Sequence, residues 1–393
     1  MAVQSYDVVI VGGGVIGSAI AYFLVADPGF DGTVAVIERD PTYRTASSAL
    51  SASGIRQQYS TAVNMAIGRF GIKFLRNAAE TLAVDGEKPE IGLLERGYLF
   101  LAGVDGVEVL RANYELQRAN DVAVELLGPN ALATRFPWIS TEGVALGSLG
   151  LSGEGWFDGY GLLQAFKRKA KSLGADYVTA EVAGLVRDGG SIVEARLADG
   201  TRIACGALVN AAGPRSRLVA DMAGIKLPVE ARARSVFVFD CKQELARCPL
   251  VVDTSGVWFR PEGKQFIVGL SPPEERDPET FDLVIDHAQF EADIWPALAA
   301  RAPAFESLKV TSAWAGHYEY NCFDQNGIVG PHPAVPNLFL ANGFSGHGLQ
   351  QSPGVGRAVS EHIIYGHYRT LDLADLAVER IIANRPLVER NVV

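Results

Sequence analysis

Cysteine is scarce: the 393 residues hold four, Cys205, Cys241, Cys248 and Cys322, with no CxxC pair and no metal-like spacing. The pattern offers no cysteine-held metal and suits buried or free thiols in a reducing compartment. Positive charge is also in deficit. The 35 Lys and Arg against 45 Asp and Glu give a net charge of −10, which disfavours nucleic acid or an anionic membrane surface as partner. No basic patch or run of like charges offsets that balance. No apolar run approaches the length of a membrane span, and no repeats or low-complexity linkers are visible. The first strand is expected within a few residues of Met1, leaving no room for a signal or transit peptide, so a cytoplasmic protein is expected. What remains is ordinary globular composition, 48% hydrophobic and 20% charged, in a chain long enough for one or two domains.

What the chain does have is a dinucleotide-binding fingerprint at its start. Val8 to Val11 read as a buried strand and Val15 to Val25 as the helix after it, joined by Gly12-Gly-Gly14-Val-Ile-Gly17. Gly12 permits the tight turn, Gly14 lets the backbone approach a pyrophosphate, and Gly17 lets helix and strand pack closely. The pyrophosphate is expected on the exposed N–H groups where the helix begins, at Val15 and Ile16. A second strand, Thr33 to Ile37, ends at Glu38, about twenty residues beyond the last glycine, where an acid accepts the adenosine ribose hydroxyls.

Further along, Val63, Ile67, Phe70 and Phe74 mark one face of a helix that Thr61 is placed to cap. Gly97 to Ala102 read as a strand and Asp105 to Asn120 as a helix. Leu162 to Leu173 form an amphipathic helix with Lys167, Arg168, Lys169 and Lys171 on its wet side. A meander follows over 183–187, 192–197 and 202–204, and then a separate apolar strand over 207–211 ending at Ala212-Gly213-Pro214. Aromatic-rich strands are expected at 236–240, 256–260 and 266–270. Asn337 to Ala341 returns to a buried parallel type, with Gly343 to Gly348 and a helix through Tyr365 after it. Ser352-Pro353 suits that helix's N-cap and first position, with a start one turn earlier as the alternative. The fold class is α/β (α+β overall): a Rossmann-type cofactor domain over 1–84, 141–221 and 325–393, interleaved with an antiparallel-sheet substrate domain over 85–140 and 222–324.

A single glycine fingerprint argues against an enzyme that reduces a flavin with nicotinamide. A plain NAD dehydrogenase fits the first domain but leaves the late glycine-rich segment unexplained. That segment points a second helix N-terminus at something negative. A reduced flavin carries negative charge at one edge, which a helix start stabilises by ~0.3–2 kcal/mol. Here the chain resembles the FAD-dependent D-amino acid oxidase superfamily, in the branch of sarcosine, glycine and dimethylglycine oxidases. The resembling pieces are Val11 to Gly17, Glu38-Arg39, Ser47-Ser48, Gly54-Ile55-Arg56-Gln57-Gln58, Asn210-Ala-Ala212-Gly213, Trp314-Ala-Gly316 and Gly343 to Gly348. Arg56-Gln-Gln and the wording from Gly343 to Gln351 are similar to a subgroup containing a mitochondrial flavoprotein tied to respiratory complex I assembly.

The resemblance implies that Val182 presents backbone groups to adenine and that Ser47 and Ser48 approach the pyrophosphate. It places Ser53, Gly54, Ile55, Arg56 and Gln57 along the isoalloxazine, with Gly346, His347, Gly348, Leu349 and Gln350 near its pyrimidine edge. FAD is expected to be non-covalent, because Cys322 falls too late for the usual attachment point; His317 is the remote alternative. No metal is expected.

Arg56 in this setting implies a planar fork on a substrate carboxylate, against the plain alternative of a solvated surface arginine. His347 is a packing or hydrogen-bonding ring or a proton acceptor. Tyr318 and Tyr320 alternate along an expected strand, one for the site and one outside, with core packing equally good for either. Trp258 and Arg260 share a strand face, and Arg260 meets either a second carboxylate or an ordinary acidic partner. Gln350 stands where sarcosine oxidases carry a lysine, which weakens sarcosine itself as substrate. Their dioxygen-activating lysine has no evident counterpart, Lys264 being only at a strand edge. The expected activity is oxidation of the C–N bond of a secondary or tertiary amino acid, such as N-methylglycine, dimethylglycine, iminodiacetate or an opine. A hydride passes to flavin N5 and the imine is hydrolysed, with dioxygen or a quinone or carrier as electron acceptor. A D-amino acid dehydrogenase and a non-catalytic, FAD-holding assembly factor are the alternatives.

Overall fold

A computed structural model describes residues 4–390; the outermost ends of the expected cofactor domain lie outside them. Strands buried on both faces need cover on both sides; helices cover one face of the first sheet, and a strand flap with the short helix Ser216–Met222 covers the other. The sheet's central strand, Gln4–Val11, runs parallel to Val34–Glu38 and to Arg202–Asn210. Asp176–Thr179 and Val335–Asn342 extend the parallel set on either flank, and antiparallel Ile328–His332 closes one edge. Two further strands, Val182–Asp188 and Ser191–Leu197, form a flap against the lower half of Arg202–Asn210.

The separate strands expected at 202–204 and 207–211 are one strand. Its first residues pair with the flap while Ile203 to Asn210 already run alongside Gln4–Val11, so nothing interrupts it. Gly206 sits at the join because a Cβ there would come within 2.9 Å of the Asp7 carbonyl oxygen. The helix Val15–Ala26 packs on the late helix Gly348–Tyr365 so closely that a Cβ on Gly356 would lie 2.8 Å from that of Ala19. Helices Ala62–Arg76 and Gly159–Ser172 complete this layer through Tyr22, Phe23, Phe70, Phe74 and Phe166; Phe74 and Phe166 stack with centroids 5.3 Å apart.

The second sheet has eight strands, running from Lys309–Asn321 through Val229–Asp240, Gln265–Gly269, Trp258–Glu262, Leu250–Val252, Tyr98–Ala102 and Leu146–Gly150 to Val124–Leu127. It is antiparallel except where Leu250–Val252 meets Tyr98–Ala102. Leu146–Gly150 lies within the expected cofactor segment 141–221, yet it pairs here on both sides, so this sheet extends to Gly150. A two-strand link, Gly54–Ile55 with Gly155–Trp156, stands between the two layers. No helix among the described residues is long and apolar enough to cross a membrane.

The Thr61 cap is not made, and the late helix takes the earlier of its two expected starts. Thr61 holds the N-cap position of Ala62–Arg76, but its hydroxyl donates to Glu389 and accepts from Asn64 instead of capping. The late helix begins at Gly348, one turn before Ser352-Pro353. Pro353 is tolerated inside it because its missing N–H frees the Leu349 carbonyl, and the Ser352 hydroxyl donates there at 2.9 Å.

Candidate active site

The cleft between the layers has a volume of about 500 Å³ and runs from the ends of the parallel strands to the second sheet. At its entry half the backbone turns at Gly12, where φ is +102° and any Cβ would strike the Ala211 carbonyl. Gly17 faces the strand instead of the cleft; a Cβ there would collide with the Gly12 carbonyl oxygen. Gly14, Val15, Ile16, Ser47, Ser48, Ala212 and Gly213 line this half, with Glu38, Arg39 and Val182 beyond them. The Glu38 carboxylate accepts the N–H of Gly13 and of Asp40, both at 2.8 Å, which fixes its angle at the strand end. Ser48 accepts the Val15 N–H at 3.1 Å. Arg39 reaches Glu181 at 3.5 Å.

At the closed half, Arg56 is 2% exposed. Its backbone N–H donates to Gln350 Oε1 at 2.9 Å, tying the loop to the late helix. Its guanidinium lies 4.5 Å from the Tyr59 ring centre and 5.2 Å from that of Phe100. Nη2 meets His347 Nε2 at 2.9 Å. Since arginine only donates, His347 accepts through Nε2 and carries its proton on Nδ1, toward the Phe344 carbonyl. Burial, and then the Arg56 charge, push the imidazole down to about 3. It is neutral with its lone pair engaged, which fits a hydrogen-bonding role and not a proton acceptor.

Residues 7–362 match the family described as FAD dependent oxidoreductase. The chain belongs to that family.

The chain is 46% identical to FAD-dependent oxidoreductase domain-containing protein 1 of Xenopus laevis, covering 98% of this chain and 85% of that protein. It is 26% identical to glycine oxidase of Geobacillus kaustophilus, over 96% of this chain and 97% of that one. A solved structure of L-proline dehydrogenase from P. horikoshii shares the fold, with a TM-score of 0.87 at 24% identity, over 98% of this chain and all of that one (100%).

The residues fit FAD, the cofactor of this family. Ser47 Oγ and Tyr43 OH are buried along the entry half without a partner, polar atoms of the kind a bound dinucleotide satisfies. Among the described residues no cysteine lines the cleft, which accords with non-covalent FAD. Cys322 instead meets Arg232 at 3.8 Å. His317 lines the cleft, lowered below the usual histidine range by burial and then by Arg215.

Most of the expected site residues share this one cleft: Ser53, Gly54, Arg56, Gly316, Tyr318, Gly346, His347, Gly348, Leu349 and Gln350 all line it. Three do not. Ile55 is packed in the core. Gln57 holds the neighbouring loop, its N–H on Glu154 and its amide on the Gly153 carbonyl. Arg260 donates to the Ala52 carbonyl at 3.2 and 2.8 Å, to the Pro261 carbonyl at 2.8 Å and to Glu262, so it braces the loop before Ser53 and has no fork left for substrate. Tyr318 lines the cleft and Tyr320 does not, as expected, although residues two apart in a strand share a face. Both lie on the arginine-bearing side, Tyr318 against Arg234 in the cleft and Tyr320 farther out against Arg232.

Three functional residues escaped the sequence. Glu154 is fully buried and accepts the N–H groups of Gln57 and Gln58 and the Gln58 amide, pinning the chain just after Arg56. An acid between two glycines was its only signal. Glu319 lines the cleft floor, accepts the Gly343 N–H at 3.2 Å, and is pushed up to about 8 by burial. Arg234 sits in the cleft wall with both its Nη atoms on Asp277, at 2.6 and 2.7 Å. Arginines and acids on strands are common, and only the pairing distinguishes this one.

Proposed function

We propose that this flavoenzyme oxidises the C–N bond of an amino acid with a secondary or tertiary nitrogen, its carboxylate gripped by Arg56. The observation that carries this reading is a planar cation at the closed end of the FAD cleft, met by His347 and by the Tyr59 and Phe100 rings while Gln350 holds its backbone N–H. FAD bound in the cleft supplies a two-electron acceptor. Around it the chain holds the substrate by its carboxylate and keeps water from the reacting carbon with buried apolar residues. His347 at about 3 stays neutral without taking a proton, and the amine is taken up in its unprotonated form. The oxidised product is an iminium, which at a secondary nitrogen can lose its N–H proton to give the imine, and water then hydrolyses it.

We propose further that the electrons leave to an acceptor other than dioxygen. No lysine lines the cleft among the described residues, and Lys264 is exposed in the turn between Trp258–Glu262 and Gln265–Gly269. Mixing a panel of amino acids with the protein under anaerobic conditions tests the first proposal: bleaching of the yellow flavin by an N-substituted amino acid is expected. A panel that bleaches nothing would favour a protein that keeps FAD for structure. Stopped-flow mixing of the reduced protein with oxygenated buffer tests the second. Reoxidation slower than by an artificial acceptor is expected, and rapid hydrogen peroxide release would make it an oxidase.

A further inference from the structure

We infer that the amino acid taken by this site carries a single carboxylate and an apolar substituent of several carbons, and that diacids are excluded. This rests on the reading that Arg56 holds a carboxylate. Tyr98 and Phe100 lie on one face of their strand, and Leu250 and Val252 pair with them in register on the neighbouring strand. All four belong to one buried apolar cluster, with Trp258 packed against it. The Phe100 ring is the one beside the Arg56 guanidinium, so this cluster begins where the carboxylate site ends. Tyr98, Leu250, Val252 and Trp258 all line the cleft.

A second carboxylate would need a second cation here; Arg39 and Arg215 belong to the entry half beside Glu181, and the two nearer candidates are engaged. Arg234 has both terminal nitrogens on the Asp277 carboxylate, and that pair is buried on both sides. Removing Arg234 from it to serve a ligand would strand Asp277. Arg260 is turned away onto the Ala52 and Pro261 carbonyls and Glu262, outside the cleft lining. A ligand carboxylate set against the Leu250, Val252 and Trp258 wall would lose its hydration with nothing to replace it.

The test uses unreactive carboxylates on the FAD-loaded protein, read by perturbation of the flavin spectrum and by calorimetry. From acetate to hexanoate, affinity should rise by up to about fourfold per methylene. Glutarate should bind at least about tenfold more weakly than pentanoate, which matches it in chain length. A flat series, or glutarate binding as tightly as pentanoate, overturns the inference while leaving the Arg56 reading intact. Acetate bound equally by the wild-type protein and by Arg56→Met overturns that reading and the inference with it. Wild-type ligand series carry the result, so it does not depend on any variant folding.

Discussion

Arg56 and Glu319 are both buried ionisable groups in one cleft, and their surroundings settle opposite charge states. Arg56 keeps its charge because a guanidinium cannot lose a proton at ordinary pH and ring faces and a neutral imidazole surround it. Arg56→Met keeps much of the stem and removes the fork. On a verified substrate, kcat/KM should fall by roughly ten- to a few hundredfold, with the flavin spectrum near native; unchanged kinetics with FAD bound would take Arg56 out of the site. Glu319 instead holds its proton to about 8, against 4.5 for a free side chain. Between those values the folded chain binds one proton more than the unfolded chain, so stability falls as pH rises through that window and stays lower above it. Glu319→Gln is neutral throughout and should melt at a higher temperature than wild type at about pH 9. The two should converge near about pH 5, where the free side chain is also largely protonated. Parallel melting temperatures across that range would mean Glu319 is ionised in the fold.

At the scale of elements, the first strand and helix are held at a separation that Gly17 sets. Gly17→Ala would push the helix start away from the Gly12 carbonyl and so move the N–H groups of Val15 and Ile16 from the entry half of the cleft. FAD retention after dialysis should fall markedly, with a loss of stability of about 1–3 kcal/mol from overpacking. Normal FAD occupancy would show that the turn has room to give. The late helix is positioned by the same logic from the other side. Its first turn carries Gln350, which holds the Arg56 backbone, so its earlier start at Gly348 brings the helix to the reactive end of the cleft.

Across the whole molecule, the last described residues secure the first third of the chain. The Glu389 carboxylate accepts from the Ser60 N–H and hydroxyl, from Thr61 at 3.0 Å and from Asn64 at 3.3 Å, immediately after the Tyr59 ring that flanks Arg56. Glu389→Ala would leave several buried donors unsatisfied and should cost about 1–3 kcal/mol in urea unfolding. A larger effect on substrate affinity than on FAD binding is also expected, since the loosened segment lies at the reactive end. Unchanged stability and affinity would mean that water replaces the carboxylate without loss.

The local signals were legible because they depend on near neighbours. Gly12, Gly14 and Gly17 between an apolar strand and a helix, with Glu38 in place, specify a nucleotide turn whatever surrounds them, and the structure puts all but Gly17 along the cleft. The continuous strand Arg202–Asn210, the extension of the second sheet to Gly150 and the role of Glu389 were not legible, since each depends on a partner far along the chain. Arg56 and Arg260 show the difference most plainly. Both are buried arginines beside aromatic rings; a substrate carboxylate stood against a solvated surface position for Arg56, and against an acidic partner for Arg260, which Glu262 supplies. Only the tertiary structure turned one into the cleft and the other onto the Ala52 carbonyl, because the direction of a long side chain is decided by which acceptors the folded backbone brings within reach.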